Sequence, residues 1–343
     1  MRVRLTCALG PDNSGPLLAG LIASAAKRLD IAVYECGPYF APMLAAAARR
    51  GVALELLLDG HAGANRTTAL ILAHHPEACR LVRHAGMAGE GHWKLLAADE
   101  GVLAVGSGNL IKRDAPFGPA GAAVGTREWW LLLDGAAALA RQTRAAIAPV
   151  WAAATPAGEV WPRWAALALA PVVPPVHRPD VVVPPLQLSV ATGRLHLVTG
   201  GTAVAAALRR RLRDAARRLL VTVPYVHPVA SVSPLIDDLA AATRRGLDVR
   251  LLLGDRLAAG GVATAGLLAR ELSVRVMDET RSTVGHAKGL VADDAVVAGS
   301  ANWSSAGLGA NHEAALVVDD GDAAAYYAAA FDRDWATALP PPA

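Results

Sequence analysis

The chain repeats itself. His92-Trp93-Lys94, followed by Asp99, and His286-Ala287-Lys288, followed by Asp293, both read H-x-K-x-x-x-x-D. Each frame runs on into a Gly-Ser-x-Asn segment: Gly106-Ser107-Gly108-Asn109 in the first case, Gly299-Ser300-Ala301-Asn302 in the second. Lysine is scarce, with four among 343 residues against 29 arginines, yet two of the four sit in these frames. A chain that uses arginine almost everywhere has a chemical reason for such exceptions. The pattern reads as a duplicated catalytic motif.

The register extends beyond the motifs. Lys27 to Val33 precedes a helical stretch ending Arg49-Arg50-Gly51-Val52, then an apolar run, Leu54 to Leu58, closed by Asp59. Arg217 to Val223 precedes a helical stretch ending Arg244-Arg245-Gly246-Leu247, then Val249 to Leu253 and Asp255. Gly51 and Gly246 are 195 positions apart and the motif histidines 194, so the copies stay aligned. Short apolar runs alternating with alanine-rich amphipathic segments predict an α/β class. Between the copies, residues 156–185 hold eight of the 22 prolines, which predicts an extended connector because proline donates no backbone hydrogen bond and disfavours helix before it. The expected division is a first unit over 1–155, a connector over 156–185 packed down by Trp161 and Trp164, and a second unit over 186–343.

Bulk composition narrows the class. Hydrophobic content of 53% with 18% charged residues describes a globular chain. Cys7, Cys36 and Cys79 form an odd set with no disulfide framework, so reduced thiols are expected. Met1 to Cys7 carries no apolar core of a secretory leader, and no apolar run reaches the roughly 18 residues that span a bilayer. The expectation is a cytoplasmic protein. A charge of +3 and a pI near 8.9 permit an anionic partner without demanding one.

Each motif reads as a strand, a turn and a returning strand: His92 to Ala98, then Asp99-Glu100-Gly101, then Val102 to Val105. Residues two apart on a strand share a face, so His92 and Lys94 project together, as do His286 and Lys288. Asp99 and Asp293 have the other parity and sit at turns, which makes them structural carboxylates. Imidazole beside ammonium suits a phosphodiester. Lysine neutralises a non-bridging oxygen, a neutral histidine can attack phosphorus, and a protonated one can hand its proton to the leaving alkoxide. Two motifs facing each other supply both histidine roles.

The paired frames, each trailed by Gly-Ser-x-Asn, resemble the phospholipase D superfamily of phosphodiesterases and transphosphatidylases over roughly residues 20–135 and 205–320. The resemblance implies two tandem α/β sandwich units related by a pseudo-twofold axis, with one active site at their interface. It implies a covalent phosphohistidine intermediate and neither metal nor other cofactor. Its serine and asparagine map onto Ser107, Asn109, Ser300 and Asn302 as substrate-binding residues. Its downstream acid, which orients the histidine, maps onto Glu313, 27 residues after His286, and onto Glu128, 36 residues after His92. The extra length falls at Lys112 to Pro119, an inserted loop near the site. By the resemblance His92 is the nucleophile and His286 the general acid, an order the sequence cannot itself distinguish. Both half-sites lie in one chain, so a monomer suffices.

Other residues carry less. His74, His75, Cys79 and His84 match no standard metal-ligand spacing. His312 reads as a supporting or surface residue, His227 and Tyr34-Glu35 as strand-end neighbours of the site, and the tryptophans as packing. The arginine run Arg209, Arg210, Arg211, Arg213, Arg217, Arg218 reads first as a solvated helix face and second as a polyanion track. Among substrates the sequence favours nucleic acid, from basic pI, compactness and the Gly299-to-Ser304 run. Phospholipid head-group hydrolysis or exchange is the alternative, with Leu110, Ile111 and Phe117 as residues that could touch a membrane. A catalytically inactive scaffold is disfavoured because both frames are complete.

Overall fold

In a computed structural model of the protein, the short apolar runs assemble into two sheets of nine and seven strands. The structure describes residues 1–82, 89–117, 125–161, 182–227, 230–254, 264, 268–278 and 284–341. In the first half, strands β1 (Arg2–Gly10), β2 (Arg28–Val33), β3 (Ala53–Asp59) and β4 (Cys79–Val82) are followed by β5 (Lys94–Ala98), β6 (Val102–Gly106), β7 (Glu128–Asp134) and the short β8 (Thr155–Pro156). Next come β9 (Leu186–Ala191), β10 (Leu195–Thr199), β11 (Arg218–Val223), β12 (Asp248–Leu253) and β13 (Ser273–Val276). The last are β14 (Gly289–Ala292), β15 (Ala295–Gly299) and β16 (Ala314–Asp319).

Without its outermost strands β8 and β9, the first sheet runs β4-β3-β2-β5-β6-β7-β1, and the second runs β13-β12-β11-β14-β15-β16-β10. The two orders are one topology used twice. In each, three parallel strands adjoin an antiparallel meander. Parallel neighbours require crossovers, which helices provide. Helices α1 (Ser14–Ser24), α2 (Ala41–Arg49) and α3 (Ala64–Ile71) serve the first sheet. After α4 (Ala137–Ala153) and the single turn α5 (Ala157–Val160), helices α6 (Gly201–Asp214) and α7 (Ser233–Arg244) serve the second, and α8 (Gly321–Thr337) follows β16 as α4 follows β7. Gly51 (φ +87) and Gly246 (φ +84) end α2 and α7 in the left-handed conformation that glycine takes without penalty.

Alternation along the strands divides the apolar residues among three cores. Leu95, Ala97, Val105 and Trp129 join Val291, Val296, Ala298 and Leu316 in a cluster between the sheets, completed by Ile147 of α4 and Tyr327 and Phe331 of α8. Leu96, Ala98 and Trp130, of opposite parity, pack outward with α1 and α2. The second sheet has a matching outer core in which Val204, Leu208 and Leu212 form the buried stripe of α6. The burial of Trp129 and Trp130 makes them packing residues.

Strand β9 departs from the sequence division at 186. It pairs antiparallel with β1 and so adds to the first sheet, because the chain leaving the connector meets the open edge of β1 before it enters its own unit. Trp161 packs at the edge of the first outer core. Trp164, His84, Asp255, Pro119 and most of the connector lie outside the described residues. All three cysteines are free and buried.

The arginine run is largely neutralised within the protein. Arg209 and Arg213 both reach Asp238, at 3.0 and 2.9 Å, Arg211 meets Asp319, Arg210 meets Asp214, and Arg217 meets Asp294. The apolar loop is likewise occupied. Leu110 is buried, and the Phe117 ring packs on Tyr39 and Phe40 at 4.1 and 4.8 Å. Among the described residues no helix is long and apolar enough to cross a membrane.

Candidate active site

The turn acids are engaged by backbone. Asp99 (φ 45) and Asp293 (φ 51) occupy the left-handed region, which a short polar side chain tolerates. The Asp99 carboxylate accepts from the backbone N–H groups of Ala26, Lys27 and Arg28 at 3.0, 2.7 and 3.0 Å. Asp293 accepts from Ala216, Arg217 and Arg218 at 2.7, 2.9 and 3.0 Å. Partial burial works against the charged form, but these donors hold both carboxyls below their ordinary range. Each ties its hairpin to the start of β2 or β11.

The histidines precede the strands rather than opening them: β5 begins at Lys94, and β14 begins after Lys288. The ammonium of Lys94 donates to the carbonyl of His92 at 2.7 Å, and that of Lys288 to the carbonyl of His286 at 2.7 Å. Each His-Lys pair is therefore gathered on one side of its segment.

Two parallel bridges join the halves, Gly91 to His312 and Arg127 to Gly285. The first rests on the His312 N–H donating to Glu90 at 2.9 Å. The second rests on Arg127 donating to Val284 at 2.7 Å and His286 donating to Arg127 at 3.0 Å. In each bridge the residue just before a motif histidine pairs with the residue just before a glutamate of the other half. Nδ1 of His92 thus donates to Glu313, at 2.9 and 3.1 Å from its two oxygens, and Nδ1 of His286 to Glu128 at 2.6 Å. Spacing within a half suggested Glu128 for His92 and Glu313 for His286. The structure exchanges them.

Ser107 and Ser300 have a different part from the one expected. Both are fully buried. The Ser107 hydroxyl donates to Glu128 at 2.5 Å, and that of Ser300 donates to Glu313. Each hydroxyl also accepts a backbone N–H, from Trp129 at 2.9 Å or Ala314 at 3.0 Å. They fasten the acids and have no free donor for a substrate. Thr126 (2.9 Å to Glu128) and Asn311 (3.4 Å to Glu313) assist, and neither stood out in the sequence. Asn109 and Asn302 each keep a buried side-chain oxygen without a partner.

The lysines meet in one field. Burial pushes Lys94 down to about 8 despite nearby Glu313, Asp114 and Glu128. Burial pushes Lys288 down to about 7, with Glu128 opposing and the charge of Lys94 adding to the depression. Burial also lowers His92, Glu313 opposing it and Lys94 and Lys288 reinforcing it. Lys288 stands 2.8 and 3.0 Å from the two ring nitrogens of His286. Two buried cations side by side form a place prepared for an anion.

One group of possible metal ligands occurs among the described residues: donor atoms of Asp114, Glu128 and His286 lie within 4.8 Å of one another. Their lone pairs are engaged by Asn109, Arg113, Ser107 and Thr126, and an ammonium rests against the imidazole. That donor set does not fit a cation. The remaining candidates are peripheral. His312 stacks on Trp93 at 4.6 Å, with burial lowering its pKa. His227 is exposed and stacks on Tyr225 at 4.7 Å. His75 lies 3.8 Å from Glu77. Tyr34 borders the site, its ring 5.4 Å from that of His92. Burial raises the Glu35 carboxyl, with neighbouring Asp114 adding to the effect.

Residues 208–335 match the family model described as cardiolipin synthase, PLD-like domain. Over these residues, which hold the second motif, the chain matches a PLD-like domain. Its fold is similar to that of phosphatidylserine synthase from Haemophilus influenzae Rd KW20, with a TM-score of 0.69 and 13% identity over 98% of this chain and 88% of the other. Polyphosphate kinase from Porphyromonas gingivalis aligns at a TM-score of 0.59 and 12% identity, over 96% of this chain and 50% of its own. Nuc from Salmonella typhimurium, a phospholipase D family member, aligns at 0.36 and 17% identity, over 42% of this chain and 95% of its own. At such identities the full-length likeness is one of fold. No curated protein matches the chain.

Proposed function

We propose that the protein cleaves a phosphodiester through a phosphohistidine, with His92 as nucleophile and His286 as general acid. The observation that carries this reading is the pair of crossed His–Glu hydrogen bonds around two buried lysines. The Nδ1–H of His92 donates to Glu313, which fixes the tautomer and leaves the Nε2 lone pair for phosphorus. As the Nε2–P bond forms and the P–O bond breaks, the departing alkoxide receives a proton from Nε2 of His286. Lys94 and Lys288 neutralise the non-bridging oxygens as their charge grows. Water or an alcohol then gives its proton to His286 and attacks phosphorus, and His92 leaves. No step calls for a metal.

Two substrate classes have support of different kinds. The family description matched by residues 208–335 favours a phospholipid head-group ester, acted on by hydrolysis or exchange. Nucleic acid, which the sequence favours, keeps the mildly basic charge, but the ion pairs along α6 leave little free arginine for a polyanion track. The test is turnover of bis-(p-nitrophenyl) phosphate with EDTA present, followed by phosphatidylcholine vesicles, single-stranded DNA, duplex DNA and RNA at matched concentration. Turnover unaffected by EDTA and lost in His92→Ala is expected. Absence of turnover, or its loss to EDTA, overturns the reaction. Cleavage of DNA or RNA in preference to vesicles overturns the lipid reading.

A further inference from the structure

The halves share a topology but not a charge distribution. Asp114, in the turn after β6, is fully buried. Its Oδ2 accepts from the Asn109 backbone N–H at 2.9 Å and from the Asn109 side-chain amide at 3.0 Å. Its Oδ1 accepts from Arg113 at 3.1 Å and Thr126 at 3.2 Å. Counted from Asn109 and Asn302, the matching position in the second half is Gly307. A Cβ there would lie 2.4 Å from the Asn302 carbonyl oxygen, so no acid fits.

The consequence falls on the histidines. His286 hydrogen-bonds Glu128 of β7, and an oxygen of Asp114, from the neighbouring turn, also lies within 4.8 Å of its ring nitrogen. Facing them are Lys288 from its own segment and, one layer further, Lys94. His92 hydrogen-bonds Glu313 and feels both ammonium groups, while the Asp59 carboxylate holds the neighbouring Gly91 N–H. Asp114 therefore places beside His286 a carboxylate for which the matching position in the second half, Gly307, has no counterpart.

We propose that Asp114 is a positioning residue that keeps the acid proton on His286 and so leaves His92 as the nucleophile. The inference rests on the phosphodiester reading for its catalytic part alone. The attraction is mutual. Burial opposes the charged form of Asp114, but the His286 and Arg113 charges and the Asn109 N–H hold its carboxyl down at about 2. Asp114 stays ionised wherever the enzyme could operate.

The test is Asp114→Asn, whose amide oxygen can still accept from Asn109. In protein labelled with nitrogen-15 at histidine, the His286 ring, identified with His286→Gln, should titrate about one unit lower than in wild type. Turnover should fall about tenfold for a diester with an alkyl leaving group, which needs the proton, and little for one with a p-nitrophenyl leaving group, which does not. An unmoved titration, or equal loss on both substrates, overturns the proposal and leaves Asp114 a structural residue. Asp114→Ser, smaller but still an acceptor, gives the same readings should the first variant not fold. If wild type turns over no phosphodiester, the proposed reaction fails, while the titration still decides whether Asp114 holds the proton.

Discussion

Glu313 and His92 lie 221 positions apart in the chain and meet through a 2.9 Å hydrogen bond. Its counterpart joins His286 to Glu128 at 2.6 Å. Each half supplies the acid for the other half's base, so neither unit holds a complete half-site alone. Glu313→Gln should therefore fail as a nucleophile variant does, losing roughly hundredfold or more on every leaving group. Glu128→Gln should lose as much on alkyl leaving groups and far less on p-nitrophenolate. Steady-state rates on the two substrates check this, and the opposite assignment would place each acid with its own half.

Anion affinity should fall as pH rises from about 7 to 9. Lys288 and Lys94, held down at about 7 and 8 by burial, lose protons across that range and must regain them when an anion arrives. Calorimetric titration with tungstate in buffers of different ionisation enthalpy should show proton uptake at pH 8 and little at pH 6. Equal uptake at both would show that the lysines titrate normally.

The same depressed values set a stability trend. Above about pH 7, and up to the unfolded lysine value near 10.4, the unfolded chain binds more protons than the native one, so the unliganded protein should become more stable as pH rises. Lys288→Met should flatten part of that slope in urea denaturation across pH 7 to 10. An unchanged slope would contradict the burial argument.

Asp99→Ala and Asp293→Ala should cost stability while sparing the chemistry. Each leaves three backbone donors without their acceptor and puts alanine at positive φ, for about 1–3 kcal/mol. Asparagine, which tolerates that conformation, should cost less. Because both native carboxyls are depressed, their contribution is present above the unfolded value near 3.9 and is lost as pH falls through the native one. Thermal melts check the loss, and a collapse of kcat at unchanged stability would place these acids in the chemistry instead.

Much of this arrangement is legible in the sequence because it is local. The repeated frame, the parity of His and Lys, the turn carboxylates and the α/β alternation all lie within a few residues of one another. What escapes it is made by tertiary pairing. The bridges Gly91–His312 and Arg127–Gly285 send Glu313 and Glu128 across the interface, and spacing along one half carries no trace of that. Ser107 and Ser300 sit where a substrate contact was expected, yet their hydroxyls turn to the acids once the glutamates arrive. Asp114 belongs to no motif and becomes visible only beside Asn109 and His286. Strand β9 crosses to the first sheet because an edge of β1 is open to it.

The most direct test is to locate the covalent intermediate. With a p-nitrophenyl diester and rapid quench at alkaline pH, His286→Ala should accumulate a phosphoryl adduct on His92, identified by mass spectrometry of the digested protein, and His92→Ala should accumulate none. An adduct on His286, or full turnover without one on either ring, would contradict the account.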